Sequence, residues 1–196
     1  MPSERSPLAE LLAELGQVFG DLGLRWYLFG AQAAILYGAA RLTADVDVTA
    51  ELGSRPTVEL VDALTVAGFD LRVADAAGFV ERTRVLPMVH RATAIPVDVV
   101  LAGPGLEELF LSRATERSIG DVRVFLLAAE DLVATKILAG RPKDIEDAAS
   151  VVRTHGERLD VELIRTTLSL LERVLDRSDL LPELERVLER GHRGMR

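Results

Sequence analysis

The chain has 196 residues, 48% of them hydrophobic, with eight prolines and no cysteine, the make-up of one folded domain or one domain with a helical appendage. The missing cysteines exclude disulfides, thiolate zinc sites and thiol catalysis. With 31 acidic residues against 23 lysines and arginines and a net charge of −8, nucleic-acid binding over the whole surface is disfavoured, which leaves room for a local arginine patch.

In chain order, "PLAELLAELGQVFGDL" (7–22) repeats leucine at helical spacing behind a first-turn proline, and predicts an amphipathic helix ended by Gly23. The start "MPSERSPLAE" carries an acid and no apolar core, and no apolar run approaches the ~18 to 20 residues a membrane span needs. The expectation is therefore a cytoplasmic protein with no membrane partner. "RWYLF" (25–29) reads as a short buried strand, broken by Gly30, after which "AQAAILYGAA" predicts a thin helix of small residues.

"ADVDVTAE" (44–51) alternates polar and apolar residues and predicts a strand. Residues 55–67 predict a helix and "FDLRV" (69–73) a strand, while "RVLPMVH" (84–90) and "AIPVDVVLA" (94–102) predict a hairpin. "GPGLEELFLSRA" predicts a turn and helix, "DVRVFLL" (121–127) a strand, and "AAEDLVATKILAG" a helix closed by Gly140. Pro142 opens the next helix, and two more, "DVELIRTTLSLLERVLDR" and "LPELERVLER", complete the chain. The pattern is α+β: a mixed sheet of about five strands flanked by helices over residues 1–127, then a helical region over 128–196 packed on it.

Chemistry concentrates in three aspartates. Asp45 and Asp47 are two apart on a predicted strand, so their side chains share a face, with Cα atoms roughly 6.5 to 7 Å apart. Val46 and Val48 turn to the core. Carboxylates held this way can converge on one divalent ion or on a pair of ions. Asp98, in "IPVDVVL", is a lone acid in an apolar strand, and a buried carboxylate needs a cation or a proton. The plainer alternative is that these carboxylates line a solvent-facing strand or pair with Arg41 or Arg84. The turn at Gly30 presents backbone N–H groups at a helix start, an arrangement that suits phosphate.

The ordered set of strand, Gly30-Ala31, small-residue helix, Gly38, Arg41, Thr43, Asp45 and Asp47, then a strand bearing Asp98, resembles the nucleotidyltransferase superfamily of DNA-polymerase-β type. Within it the chain looks most like the AbiEii-type and minimal nucleotidyltransferases of toxin–antitoxin and phage-defence pairs. "AAEDLVATKILAGRPKDIEDA" (128–148) is similar to a second block of those families, with Lys136 ahead of Asp144 and Asp147.

The resemblance implies a nucleotidyltransferase core with a helical C-terminal part, and transfer of an NMP from an NTP to an acceptor hydroxyl with Mg²⁺ (or Mn²⁺). It implies metal binding by Asp45, Asp47 and Asp98, with Asp98 also supporting the chemistry or acting as base. It implies nucleotide contacts from Gly30, Ala31, Arg41, Thr43 and Lys136, and a polar structural or catalytic role for Asp144 and Asp147. The implied partners are an NTP, an acceptor tRNA or partner protein, and a cognate toxin or antitoxin. A non-catalytic antitoxin or binding module and a small-molecule (antibiotic) nucleotidyltransferase are the alternatives. Ala31 departs from the family's usual Gly-Ser or Gly-Gly, removing a hydroxyl while keeping the N–H.

Overall fold

In a computed structural model, residues 5–193 are described. The contact pattern divides the chain into two compact units, one of residues 1–30 and 43–127, the other of 31–42 and 128–196.

The first unit is built on a mixed seven-stranded sheet. Its helices and strands run α1 (Pro7–Asp21), β1 (Trp26–Phe29), then past α2 (Gly30–Leu36) to β2 (Val46–Ala50), α3 (Thr57–Val66), β3 (Phe69–Leu71), α4 (Ala76–Thr83), β4 (Val85–His90), β5 (Pro96–Leu101), α5 (Leu106–Arg113), β6 (Thr115–Ile119) and β7 (Val122–Leu126). The spatial order is β3-β4-β5-β2-β1-β7-β6. The strands β2 and β5 run parallel, as do β1 and β7, and the other neighbours are antiparallel.

Helix α1 starts where the Ser6 hydroxyl accepts from the Ala9 N–H, with Pro7 in its first turn. Its leucine stripe, Leu11, Leu12 and Leu15, is fully buried together with Phe19. The core of the sheet is made by the apolar positions of alternating strands: Val46 and Val48 on β2, Val97 and Val99 on β5, Leu86 and Met88 on β4, all with no exposed surface. His90 is buried against the Phe69 ring, with Glu14 and Thr93 on its two ring nitrogens, so it packs in the core.

The predicted hairpin of residues 84–90 and 94–102 is the β4–β5 pair. The sheet is larger than the sequence pattern suggests, because β6 was not legible. Its central residues Glu116, Arg117 and Ser118 are all exposed, so this edge strand has no apolar alternation to read. Helix α4 has as little apolar pattern to read, with Val80 its one buried residue.

The second unit is helical: α2, then α6 (Ala129–Ala139), α7 (Pro142–His155), a short 3₁₀ turn, α8 (Val161–Leu175) and α9 (Leu180–Arg193). Gly140 ends α6 in the left-handed conformation and Pro142 opens α7. Helices α6, α7, α8 and α9 pack on one another through the stripes Leu132/Val133/Ile137, Ala148/Val151/Val152, Ile164/Leu168 and Leu184/Val187. Residues 31–42 belong with these helices. Gly38, at φ +101°, lies so close to Thr154 that an added Cβ would stand 2.9 Å from its Cγ2. Beside it the Tyr37 ring meets His155 edge-on at 5.1 Å.

Candidate active site

The pairing of β2 with β5 decides the site in the first unit. Parallel register sets Val46 opposite Val97, Asp47 opposite Asp98, and Val48 opposite Val99. The two aspartates are therefore cross-strand neighbours on one face, with Cα atoms about 5 Å apart, while the valines fill the other. Asp45 precedes β2 and is exposed, and Asp47 and Asp98 are half-buried. The Thr43 hydroxyl donates to the Asp45 carboxylate.

The row continues on both sides. Phe29 lies opposite Asp47 on β1, and Pro87 lies opposite Asp98 on β4. Beyond Pro87, the Arg72 N–H donates to the Pro87 carbonyl at 3.0 Å. Proline has no N–H to return, so the pairing of β3 with β4 ends there. That places Arg72 on the row, and its guanidinium reaches Asp98 while its Nε donates to the Met88 carbonyl at 2.9 Å. Asp98 does have an arginine partner, though neither of those considered from the sequence. Arg84 donates to the Leu101 carbonyl and faces Glu107, and Arg41 holds Asp147 at 2.8 Å. The one sequence signal for Arg72 as the neighbour of Asp98 is the alternation in "FDLRV".

Gly30 closes the other side of Asp47. Its φ is +67°, a conformation that favours glycine. A Cβ added there would collide with the Asp47 carboxylate, standing 2.9 Å from its Cγ. The glycine both turns the chain from β1 into α2 and makes room for an acid.

The second unit gathers a separate constellation. Lys136 donates to Asp144 at 3.0 Å and to Asp147 at 2.8 Å. All three are buried, at 6%, 1% and 4% exposure. Arg141 also holds Asp144, and Arg41 the same Asp147 oxygen as Lys136. Two buried carboxylates thus share three cations. Burial by itself pushes the Asp144 carboxyl up, but hydrogen bonds and charge from Arg141 and Lys136 outweigh it and hold the group below its ordinary value. Lys136 and Arg41, implied by the resemblance as nucleotide contacts, have aspartates as their partners here.

The donor chemistry of Asp45, Asp47 and Asp98 fits a hard divalent ion, since oxygen is what Mg²⁺ takes. Among the described residues no group of three or more His, Asp or Glu side chains stands gathered as a metal cage. Asp45 is engaged by Thr43 and Asp98 by Arg72, each through one carboxylate oxygen, which leaves the second oxygen of each to serve as a metal donor.

Comparison with known proteins agrees with this architecture. A solved structure described as an antigenic nucleotidyltransferase-like protein from Paracoccidioides brasiliensis is similar over 92% of this chain and 94% of its own, with 19% identity and a TM-score of 0.55. ANT(2")-Ia, solved in complex with adenylyl-2"-tobramycin, is similar over 85% of this chain and 99% of its own, with 16% identity and a TM-score of 0.58. At these identities the likeness is one of fold. No curated protein matches the chain. The family model described as "Nucleotidyltransferase of unknown function (DUF6036)" matches residues 6–175, and the chain belongs to that family.

Proposed function

We propose that the protein is a divalent-metal-dependent nucleotidyltransferase that moves an NMP from an NTP onto an acceptor hydroxyl and releases pyrophosphate. The observation that carries this reading is the register of β2 on β5, which makes Asp47 and Asp98 neighbours on one face, with Asp45 two residues before Asp47.

Asp45, Asp47 and Asp98 would hold the metal. A bound Mg²⁺ or Mn²⁺ supplies Lewis-acid polarisation of the α-phosphate and eases ionisation of the acceptor hydroxyl. Asp98 is assigned the acceptor proton, taken on a carboxylate oxygen once Arg72 has released it. Gly30 keeps the space beside Asp47 open, and the backbone of Gly30 and Ala31 is the segment assigned to the phosphates. Thr43 orients Asp45. Lys136, Asp144, Asp147 and Arg41 are assigned the role of a buried frame that fixes α6 and α7.

The acceptor hydroxyl is assigned to a macromolecule, an RNA 3′ end or a side chain of a partner protein, in keeping with the toxin–antitoxin resemblance. A small-molecule acceptor is the second reading, supported by the adenylyl-2"-tobramycin with which ANT(2")-Ia was solved. The test is incubation with each α-labelled NTP and Mg²⁺ in the presence of total tRNA, cell extract or an aminoglycoside panel. Label should enter one acceptor class and should do so only with Asp47 intact. No transfer to any acceptor, or transfer that persists in Asp47→Asn, overturns the proposal.

A further inference from the structure

Within the second unit, α7 and α9 enclose a furrow of about 500 Å³ lined by Glu146, Arg153, Arg186, Glu189, Arg190 and Arg193, with Ala149 on its floor. Four arginines face two glutamates, a local excess of positive charge on a chain whose net charge is −8. The furrow is built rather than incidental. Gly191 on α9 meets α7 so closely that an added Cβ would stand 3.0 Å from the Val152 Cβ and 3.3 Å from the Ala149 carbonyl. The bare glycine brings the two backbones together and lets the arginines of both helices line one channel.

The arginines are arranged linearly. Arg186, Arg190 and Arg193 follow i, i+4, i+7 spacing, so they form one exposed stripe over roughly 10 Å of the α9 axis. Leu184, Val187, Leu188 and Gly191 point inward. Intramolecular pairing uses these cations sparingly. Arg193 pairs with its helix neighbour Glu189 in an exposed pair that contributes little, and Arg186 with the half-buried Glu183. Arg153 approaches Glu146 only to 3.9 Å, while its Nε is buried with no hydrogen-bond partner. The Arg153 side chain as a whole is more than one-third exposed, so its terminal nitrogens are open to an acceptor in the furrow.

We propose that this furrow binds the sugar-phosphate backbone of a nucleic acid, an activity separate from the carboxylate row. A row of cations spaced along a helix matches successive phosphates of one strand, and the furrow offers no aromatic side chain to read bases, so recognition is by backbone charge. Arginine suits the role because its planar fork meets two phosphate oxygens at once.

The test is fluorescence anisotropy of a 5′-labelled 12-nucleotide RNA, with EDTA and no NTP, across a salt series. The wild-type protein should bind with a salt dependence that reports about three phosphate contacts. Arg186→Gln/Arg190→Gln/Arg193→Gln should weaken binding at least tenfold at low salt and flatten that dependence. A variant of equal charge change elsewhere, Arg82→Gln/Arg117→Gln/Arg123→Gln, should bind within threefold of wild type. Matching circular dichroism melts exclude unfolding as the cause. No RNA binding by the wild type, or equal weakening in both triple variants, overturns the proposal. Because metal and nucleotide are absent, either failure leaves the transferase reading standing, and Asp47→Asn should bind RNA normally.

Discussion

The carboxylate of Asp47 occupies the space that a side chain on Gly30 would fill. The strand-to-helix turn and the central acid of the site are thereby tied to one another, and a methyl group is the smallest perturbation that tests the tie. Gly30→Ala combines a positive-φ cost of about 1 to 2 kcal/mol with displacement of the Asp47 side chain. Urea unfolding should show a loss of at least that size, and metal-dependent nucleotide binding should fall further than stability does. A variant that retains both would contradict the tie.

Removing Lys136 should damage the second unit severely. Lys136→Met leaves Asp144 and Asp147 buried with one arginine each, and breaking a buried pair costs about 3 to 5 kcal/mol. Chemical denaturation measures this directly. A loss under ~1 kcal/mol would show that Arg41 and Arg141 suffice.

Acid should expose the same frame. Because the Asp144 carboxyl is held below its ordinary value of 3.8, its ionised form stabilises the fold fully above that value. The contribution is lost as pH falls through the lowered pKa. The stability difference between wild type and Asp144→Asn should be constant above about pH 5 and shrink steadily below about pH 4. A difference that grows on acidification would reverse the sign and refute the ion-pair account.

Arg72 is the cation already paired with Asp98, and it would compete with a metal for that carboxylate. The pair is more than one-third exposed on both sides, so Arg72→Gln should change stability by less than ~1 kcal/mol. It should nevertheless tighten Mn²⁺ binding several-fold, read by the free-ion electron paramagnetic resonance signal during titration. Unchanged or weaker Mn²⁺ binding would mean that Arg72 does not compete for the site.

Much of this arrangement was legible in the residues, for identifiable reasons. Period-two alternation put Asp47 on the face opposite Val46 and Val48, and the lone acid in "IPVDVVL" marked Asp98; Asp45, expected on the same strand, instead precedes β2, which begins at Val46. That β5 would lie beside β2 was a conjecture, because strand neighbours far apart in sequence leave no local trace. Arg72 stayed hidden because it follows a strand of only three residues, and its role arises from Pro87, on a different strand. The grouping of residues 31–42 with the C-terminal helices was likewise invisible, since it rests on Gly38 lying against Thr154, 116 positions away in the chain.

The central claim is that Asp45, Asp47 and Asp98 form a metal-nucleotide site, and calorimetric titration of a non-hydrolysable NTP tests it without knowledge of the acceptor. With Mg²⁺ present the wild-type protein should bind at one site, EDTA should abolish the heat, and Asp47→Asn should bind at least tenfold more weakly at equal stability. Binding that ignores EDTA, or that is the same in Asp47→Asn, would contradict it.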